Sequence, residues 1–101
     1  MLSYVFIASL DPDRERETRD IFERASTLAR ERNLVSVYLT ADAVSAARGE
    51  AGDRWLTPML RDRVRVFADP VALKQRGIGL EVIVTGVVPA PLEALVDRWA
   101  A

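Results

Sequence analysis

The side chains in this sequence that can do chemistry are carboxylates and hydroxyls placed just after apolar runs. Ser9, Asp11 and Asp13 follow the run Tyr4 to Ala8, Thr40 and Asp42 follow Leu34 to Leu39, and Asp69 follows Val64 to Ala68. Carboxylates gathered in one place can hold Mg²⁺, and one of them can serve as a general base. Each also has a purely architectural explanation, since Asp42 and Asp69 suit helix N-caps and Asp11 and Asp13 suit a turn. Lys74 can in principle form a Schiff base, but Lys74-Gln75-Arg76 near the end of a short helix equally complements the helix dipole. Tyr4 and Tyr38 sit within apolar runs and read as packed rings.

Two absences narrow the chemistry further. Among 101 residues there is no cysteine and no histidine. No thiolate nucleophile, persulfide carrier, disulfide or iron–sulfur cluster can be built from this chain. His-dependent triads and the usual zinc sites are also out of reach. Fourteen basic residues against fifteen acidic ones leave a formal charge of −1, with no general drive toward nucleic acid or an anionic membrane. Arg48, Arg54, Arg61, Arg63, Arg65 and Arg76 make the middle of the chain locally positive, which suits a phosphate or an acidic partner. Gly77-Ile78-Gly79 lacks the later glycine and the preceding strand of a dinucleotide fingerprint. With half of its residues apolar and 29% charged, the chain reads as one folded domain over 1–101. Its apolar stretches fall far short of the roughly 20 residues that span a bilayer, and Met1 to Leu10 lacks the basic start of a signal peptide. The expected compartment is the cytoplasm, with no membrane, nucleic-acid, cofactor or metal partner.

The elements that must position these residues alternate along the chain. Tyr4 to Ala8 predicts a buried strand, and Asp13 to Asn33 a helix whose stripe is Ile21, Phe22, Ala25, Leu28 and Ala29. Glu15–Arg19 and Asp20–Arg24 pair on its solvated side, and Asn33 is the expected stop. Leu34 to Thr40 is the second strand and 42–47 a short helix capped by Asp42, while 48–54 reads as a mobile loop. Thr57-Pro58 opens a helix to Arg63, Val64 to Ala68 is the third strand, and Asp69-Pro70 opens a helix stopped at Gly77. Glu81 to Val84 is the expected fourth strand, extending across Gly86 to Val88. Pro89 and Pro91 end it and open a last helix with the stripe Leu92, Leu95, Val96 and Trp99. The fold class is α/β: one three-layer domain with a mostly parallel sheet of four to five strands and helices on both faces. Ligands of such sheets bind beyond the carboxyl ends of the strands.

Two stretches resemble a known group. Val35 to Val44 (VSVYLTADAV) and Val64 to Ile78 (VRVFADPVALKQRGI) look like the signature segments of the DsrE-like (DsrE/DsrF) sulfur-relay family. The match includes Leu39, Thr40, Asp42 and Val44 at the end of the second strand, and Asp11-Pro12-Asp13-Arg14 resembles the family's opening loop. The resemblance implies that Ala68 stands where active relatives carry the sulfur-bearing cysteine. A thiol at a strand end, facing a helix N-terminus, would have its thiolate stabilised, and alanine deletes that chemistry. Relatives form homotrimers, homohexamers or mixed hexamers, so the resemblance also implies a homo-oligomer or a hetero-oligomer with a related subunit. They commonly continue into one further strand where this sequence stops at Ala101, which implies either a shortened sequence or a sheet with one strand fewer. Arg65 within a strand and the rings of Trp55 and Trp99 suit an interface, or equally complete the core.

These readings lead to a non-catalytic DsrE-like binding or assembly module that scaffolds or regulates a sulfur-relay partner without carrying persulfide itself. Its expected ligand-binding set is Ser9, Asp11, Thr40, Asp42, Ala68 and Asp69, with a small anion at the helix start beyond Pro70. The alternative is a small carboxylate-dependent or metal-assisted enzyme with Asp42 as base and Asp11 or Asp69 as partner. A nucleotide- or phosphate-binding domain is a third class, without a fingerprint to support it.

Overall fold

Six successive residues of alternating environment, Ser3–Ala8, form β1, with Tyr4, Phe6 and Ala8 turned to one side and Ser3, Val5 and Ile7 to the other. The computed structural model, which describes residues 1–95, continues with α1 (Arg16–Arg30), β2 (Leu34–Leu39) and a 3₁₀ turn (Ala41–Ala47). Two short helices follow, α2 (Gly49–Trp55) and α3 (Thr57–Arg61), then β3 (Arg65–Ala68), α4 (Pro70–Gln75), a 3₁₀ turn (Leu80–Val82) and β4 (Val88–Pro89). Helical backbone resumes over 92–95. Val96 and Trp99 of the expected last stripe lie outside the described residues.

All four strands pair in parallel and in sequence order, β1-β2-β3-β4. Right-handed crossovers that always step the same way deliver every connection to one face of the sheet. There Val35, Val37, Leu39, Val66 and Ala68 meet Phe22 and Ala25 of α1, Leu56 and Met59 around α3, and Ala72 and Leu73 of α4 in one core. The opposite face carries Tyr38 and Phe67, and what covers them is Leu95 with Ala90 and Leu92. The expected α/β architecture, a parallel sheet flanked by helices, is therefore observed, with the second layer supplied by the chain after β4. No helix among the described residues is long and apolar enough to cross a membrane.

Several elements differ from expectation for identifiable reasons. The left-handed residue after α1 is Arg32 (φ 69°), and Asn33 acts through its side chain. Its Nδ2 donates to the Leu28 carbonyl and its Oδ1 accepts from the Leu2 amide, both at 3.0 Å, tying the last turn of α1 to the start of the sheet. On α1, Arg16 reaches Asp20 at 3.8 Å, and Arg19 donates instead to the Pro12 carbonyl at 2.8 Å. Residues 48–54, expected as a mobile loop, are mostly helix α2. Gly49 (φ 48°) turns the chain into that helix, and Gly52 is buried where Val84 packs onto it.

That same contact accounts for the misplaced fourth strand. Val84 is anchored over Gly52 and its amide donates to the Ala47 carbonyl at 3.0 Å, while Ile83 makes one antiparallel bridge with Arg48. The apolar run 81–84 thus satisfies itself against the helical layer. The place beside β3 falls to Val88–Pro89, a sheet edge where a proline loses no needed donor.

Gly52→Ala tests this packing. Helix propensity alone favours alanine by about 1 kcal/mol. A Cβ at this position would collide with the Val84 side chain and lie 3.1 Å from the Ala47 carbonyl oxygen. The expected outcome in urea unfolding is net destabilisation of about 1–3 kcal/mol.

Candidate functional site at the strand ends

The carboxyl ends of β2 and β3 are joined by side chains. Thr40 Oγ1 donates to Asp69 Oδ2 at 2.8 Å, and Asp69 Oδ1 accepts from the Val71 amide at 3.0 Å, capping α4 as expected. The Asp69 amide donates to the Leu39 carbonyl at 2.8 Å and the Thr40 amide to the Ala8 carbonyl at 2.9 Å, so the rim is a continuation of the sheet ladder. Directly after Thr40 the backbone passes through a left-handed residue, Ala41 (φ 48°), before entering the 3₁₀ turn. For a residue with a Cβ that conformation is uncommon, and here the Ala43 amide bonded to the Thr40 carbonyl at 3.0 Å holds it.

On the face of the sheet away from α1–α4, this rim opens into a cleft of about 290 Å³ lined by Ile7, Tyr38, Thr40, Asp69, Val71, Pro91, Leu92 and Glu93. One wall is the sheet and the other is the chain returning after β4. Because the strand order never reverses, the sheet has no crevice between diverging crossovers, which is where open α/β sheets usually bind ligands. The cleft exists because 91–93 folds under the second face. Its apolar wall is Ile7, Val71, Pro91 and Leu92, and its polar groups are the Tyr38 and Thr40 hydroxyls and two carboxylates.

Of the six expected ligand-binding residues, Thr40 and Asp69 line this cleft. Ser9 is exposed beyond the end of β1, outside it. Asp11 makes a turn, its Oδ1 accepting from the Asp13 amide at 2.9 Å and its carbonyl from the Glu15 amide at 2.8 Å. Asp42 caps no helix, because the residue preceding the 3₁₀ turn is Thr40. Its carboxylate accepts from the Arg76 guanidinium at 2.8 Å, linking the turn to the end of α4. Ala68 ends β3 immediately ahead of α4, as expected, but its side chain is 0% exposed on the helix-covered face and cannot touch a ligand in the cleft. The anion expected at the start of α4 meets an obstacle too. Asp69 already occupies the Val71 amide with a carboxylate, and Glu93 adds a second negative charge to the same cleft.

Sequence reasoning missed Tyr38, Ile7, Val71 and Glu93 as lining residues. Strand alternation could have found two of them, since Tyr38 precedes Thr40 by two residues and pairs with Ile7 in the β1–β2 register. Tyr38 is 3% exposed. Burial pushes its phenol above the usual range, and the charges of Asp69 and then Glu93 add to the rise, against a backbone hydrogen bond at Leu92. A second link was also invisible in the sequence. Asp13 Oδ1 accepts from Trp55 Nε1 at 2.9 Å and from Arg54 at 3.4 Å, with the guanidinium 6.0 Å from the indole centroid. The indole thus works inside the chain, fastening α2 to the first turn.

A larger recess of about 690 Å³ runs between α1 and α2–α3, lined by Arg16, Arg19, Arg30, Arg54 and Trp55 among others. Its cations are engaged: Arg30 with Asp62 at 2.7 Å, Arg16 with Asp20, Arg54 with Asp13, and Arg19 with the Pro12 carbonyl. Among the described residues no group of three carboxylates is placed to hold a metal ion.

The parallel four-stranded sheet and its flanking helices give the domain a DsrE-like fold, in a chain without cysteine. The solved structures similar to it include the ychN protein of E. coli, with a TM-score of 0.74 at 19% identity over 99% of this chain and 92% of that one. Another is MTH1491 of Methanobacterium thermoautotrophicum, a protein of unknown function, with a TM-score of 0.77 at 15% identity over 98% of this chain and 91% of that one. At these identities the likeness is one of fold. No family model and no curated protein matches the sequence.

Tyr38 gives the site a measurable signature. Its raised value means the unfolded chain releases this proton first as pH climbs. Its contribution to stability is therefore full below the ordinary tyrosine value of about 10 and declines as pH rises from there through the folded value. The phenolate absorbance lost on Tyr38→Phe should be the part that develops above pH about 10, and the variant should lose that slope of stability with pH. A Tyr38 phenol titrating at or below the ordinary value would contradict the enclosed, acidic cleft.

Proposed function

We propose that this chain is a non-catalytic binding and assembly module that scaffolds or regulates a sulfur-relay partner, as a homotrimer, a homohexamer or a mixed assembly with a related subunit. The proposed compartment is the cytoplasm. The observation that carries the reading is Ala68. It stands at the end of a parallel strand, ahead of a helix capped by Asp69, and the chain contains no cysteine to carry persulfide there or elsewhere. The resemblance puts the sulfur-bearing residue at this point, and the methyl group that replaces it is packed out of solvent.

The carboxylate-enzyme alternative has less in its favour. Asp11 is used by a turn, Asp42 by Arg76 and Asp69 by Thr40 and Val71, in three separate local networks. A general base needs a carboxylate oriented toward a substrate proton. Asp69 lines the cleft at the strand ends, where its oxygens position Thr40 and the start of α4, and no second member of the expected carboxylate set lines that cleft beside it.

Two measurements test the proposal. Light scattering of the purified chain should give a mass several times that of one chain, and a monomer at tens of micromolar would overturn the assembly role. Ala68→Cys should produce a thiol that a thiol reagent labels only after unfolding. Labelling at the rate of an exposed thiol would overturn the sealed strand end.

A further inference from the structure

We propose that the recess between α1 and α2–α3 binds an organic anion, a ligand with an apolar body and a carboxylate or phosphate at one end. The site does not depend on the assembly role proposed above, and it lies among the helices rather than in the cleft at the strand ends. At about 690 Å³ the recess falls within the usual size range of small-molecule pockets. One wall is α1, where Arg19, Phe22, Ser26 and Arg30 recur at i, i+3, i+7 and i+11 along a single helix face. Trp55, Pro58 and Met59 supply the other wall.

Two polar groups of this recess are left unused by the fold. Ser26 is 8% exposed, and among the described residues its hydroxyl has no hydrogen-bond partner. Its neighbour Thr27 returns its own hydroxyl to the Glu23 carbonyl at 3.0 Å, the usual recourse of a helical hydroxyl. No fully buried side-chain oxygen among the described residues lacks a partner, so the Ser26 oxygen opens onto the recess it lines. The second group is Arg19. Its Nη1 donates to the Pro12 carbonyl at 2.8 Å, which fixes the guanidinium and leaves its charge uncompensated. No carboxylate among the described residues comes within ion-pair distance of it. The bond to Pro12 draws Arg19 back toward the first turn, away from Glu23, an exposed carboxylate one helical turn further on.

Arg54 is tied to the same turn and strengthens this end of the recess. It reaches Asp13 only at 3.4 Å, through an oxygen that already accepts from Trp55 Nε1 at 2.9 Å. An anionic head group here would meet two guanidiniums, one of them already held in place. Ser26 follows Arg19 by two turns, about 10 Å along the axis, with Phe22 and Met59 between them and the core. A charged head, an apolar middle and a hydrogen bond at the far end describe an organic anion rather than inorganic phosphate.

Anilinonaphthalene sulfonate is a suitable probe, its sulfonate standing in for the carboxylate or phosphate, and uncharged phenylnaphthylamine is its control. Fluorescence titration of the parent chain should show saturable binding of the sulfonate. Arg19→Gln should weaken it about tenfold while leaving phenylnaphthylamine unchanged, and Arg24→Gln, an exposed α1 cation outside the recess, should alter neither. Thermal melts of both variants, each expected to be cooperative, exclude loss of folding as the cause. Ser26→Cys, in a chain without other cysteines, should react with a thiol reagent while folded. The sulfonate at about ten times its Kd should slow that reaction about tenfold. Absence of binding up to about 1 mM, or binding indifferent to Arg19→Gln, would overturn the site. So would a Ser26→Cys thiol that is inert in the folded chain or reacts equally fast with the sulfonate present.

Discussion

The constraint on which this structure depends is the direction in which the chain crosses its sheet. Each parallel connection steps from one strand to the next in the same sense, so right-handedness places α1, α2–α3 and α4 on a single face. That face is closed by three crossovers and holds nearly all of the large core. The other face receives no crossover at all, although Tyr38 and Phe67 make it apolar. Burying those two rings is left to the chain after β4, which must turn back beneath the sheet to do it. The cleft at the strand ends is a by-product of that return.

Side chains that could do chemistry are held by the same architecture. Asp13 fastens α2 to the first turn through Trp55, Asp42 fastens α4 to the 3₁₀ turn through Arg76, and Asp69 starts α4 while binding Thr40. These contacts span the tops of successive strands and keep short helices of five to seven residues in place. Such helices are too short to persist by propensity alone. Charged hydrogen bonds at their ends and apolar burial beneath them take over that role.

The parallel α/β class, three of the four strands, α1 and the Asp69-Pro70 helix start were readable because each has a local signal: a continuous apolar run, a 3.6-residue stripe, or a capping pair. The carboxyl ends of β1, β2 and β3 were readable for the same reason, which is why Thr40 and Asp69 were found. What escaped were features created by contacts distant in sequence. Gly52 looks like a helix breaker until Val84 is seen packed on it, and Ile83-Val84 looks like a strand until its partner is seen to be a helix. Asp42 has the composition of a cap, and only the approach of Arg76, 34 residues later, gives it another use. The wall formed by Leu92 and Glu93 is likewise a matter of where the chain returns.

Packing also bears on the meaning of Ala68. Across the strand ends the register sets Ala8 beside Leu39 and Leu39 beside Ala68, a small, large, small row on the helix-covered face. All three are buried, in the same core as Ala43, Ala46, Ala47 and Ala72 from the 3₁₀ turn and α4. Small residues on both sides allow these elements to approach the sheet closely. The pairing of Leu39 with Ala68 also sets the next two residues side by side, and Thr40 bonds Asp69 there at 2.8 Å. A larger side chain at position 68 would press into the core it shares with Ala72 and Leu73 of α4. The alanine therefore belongs to the close packing of the helix-covered face, while the rim that follows it serves the cleft on the other side.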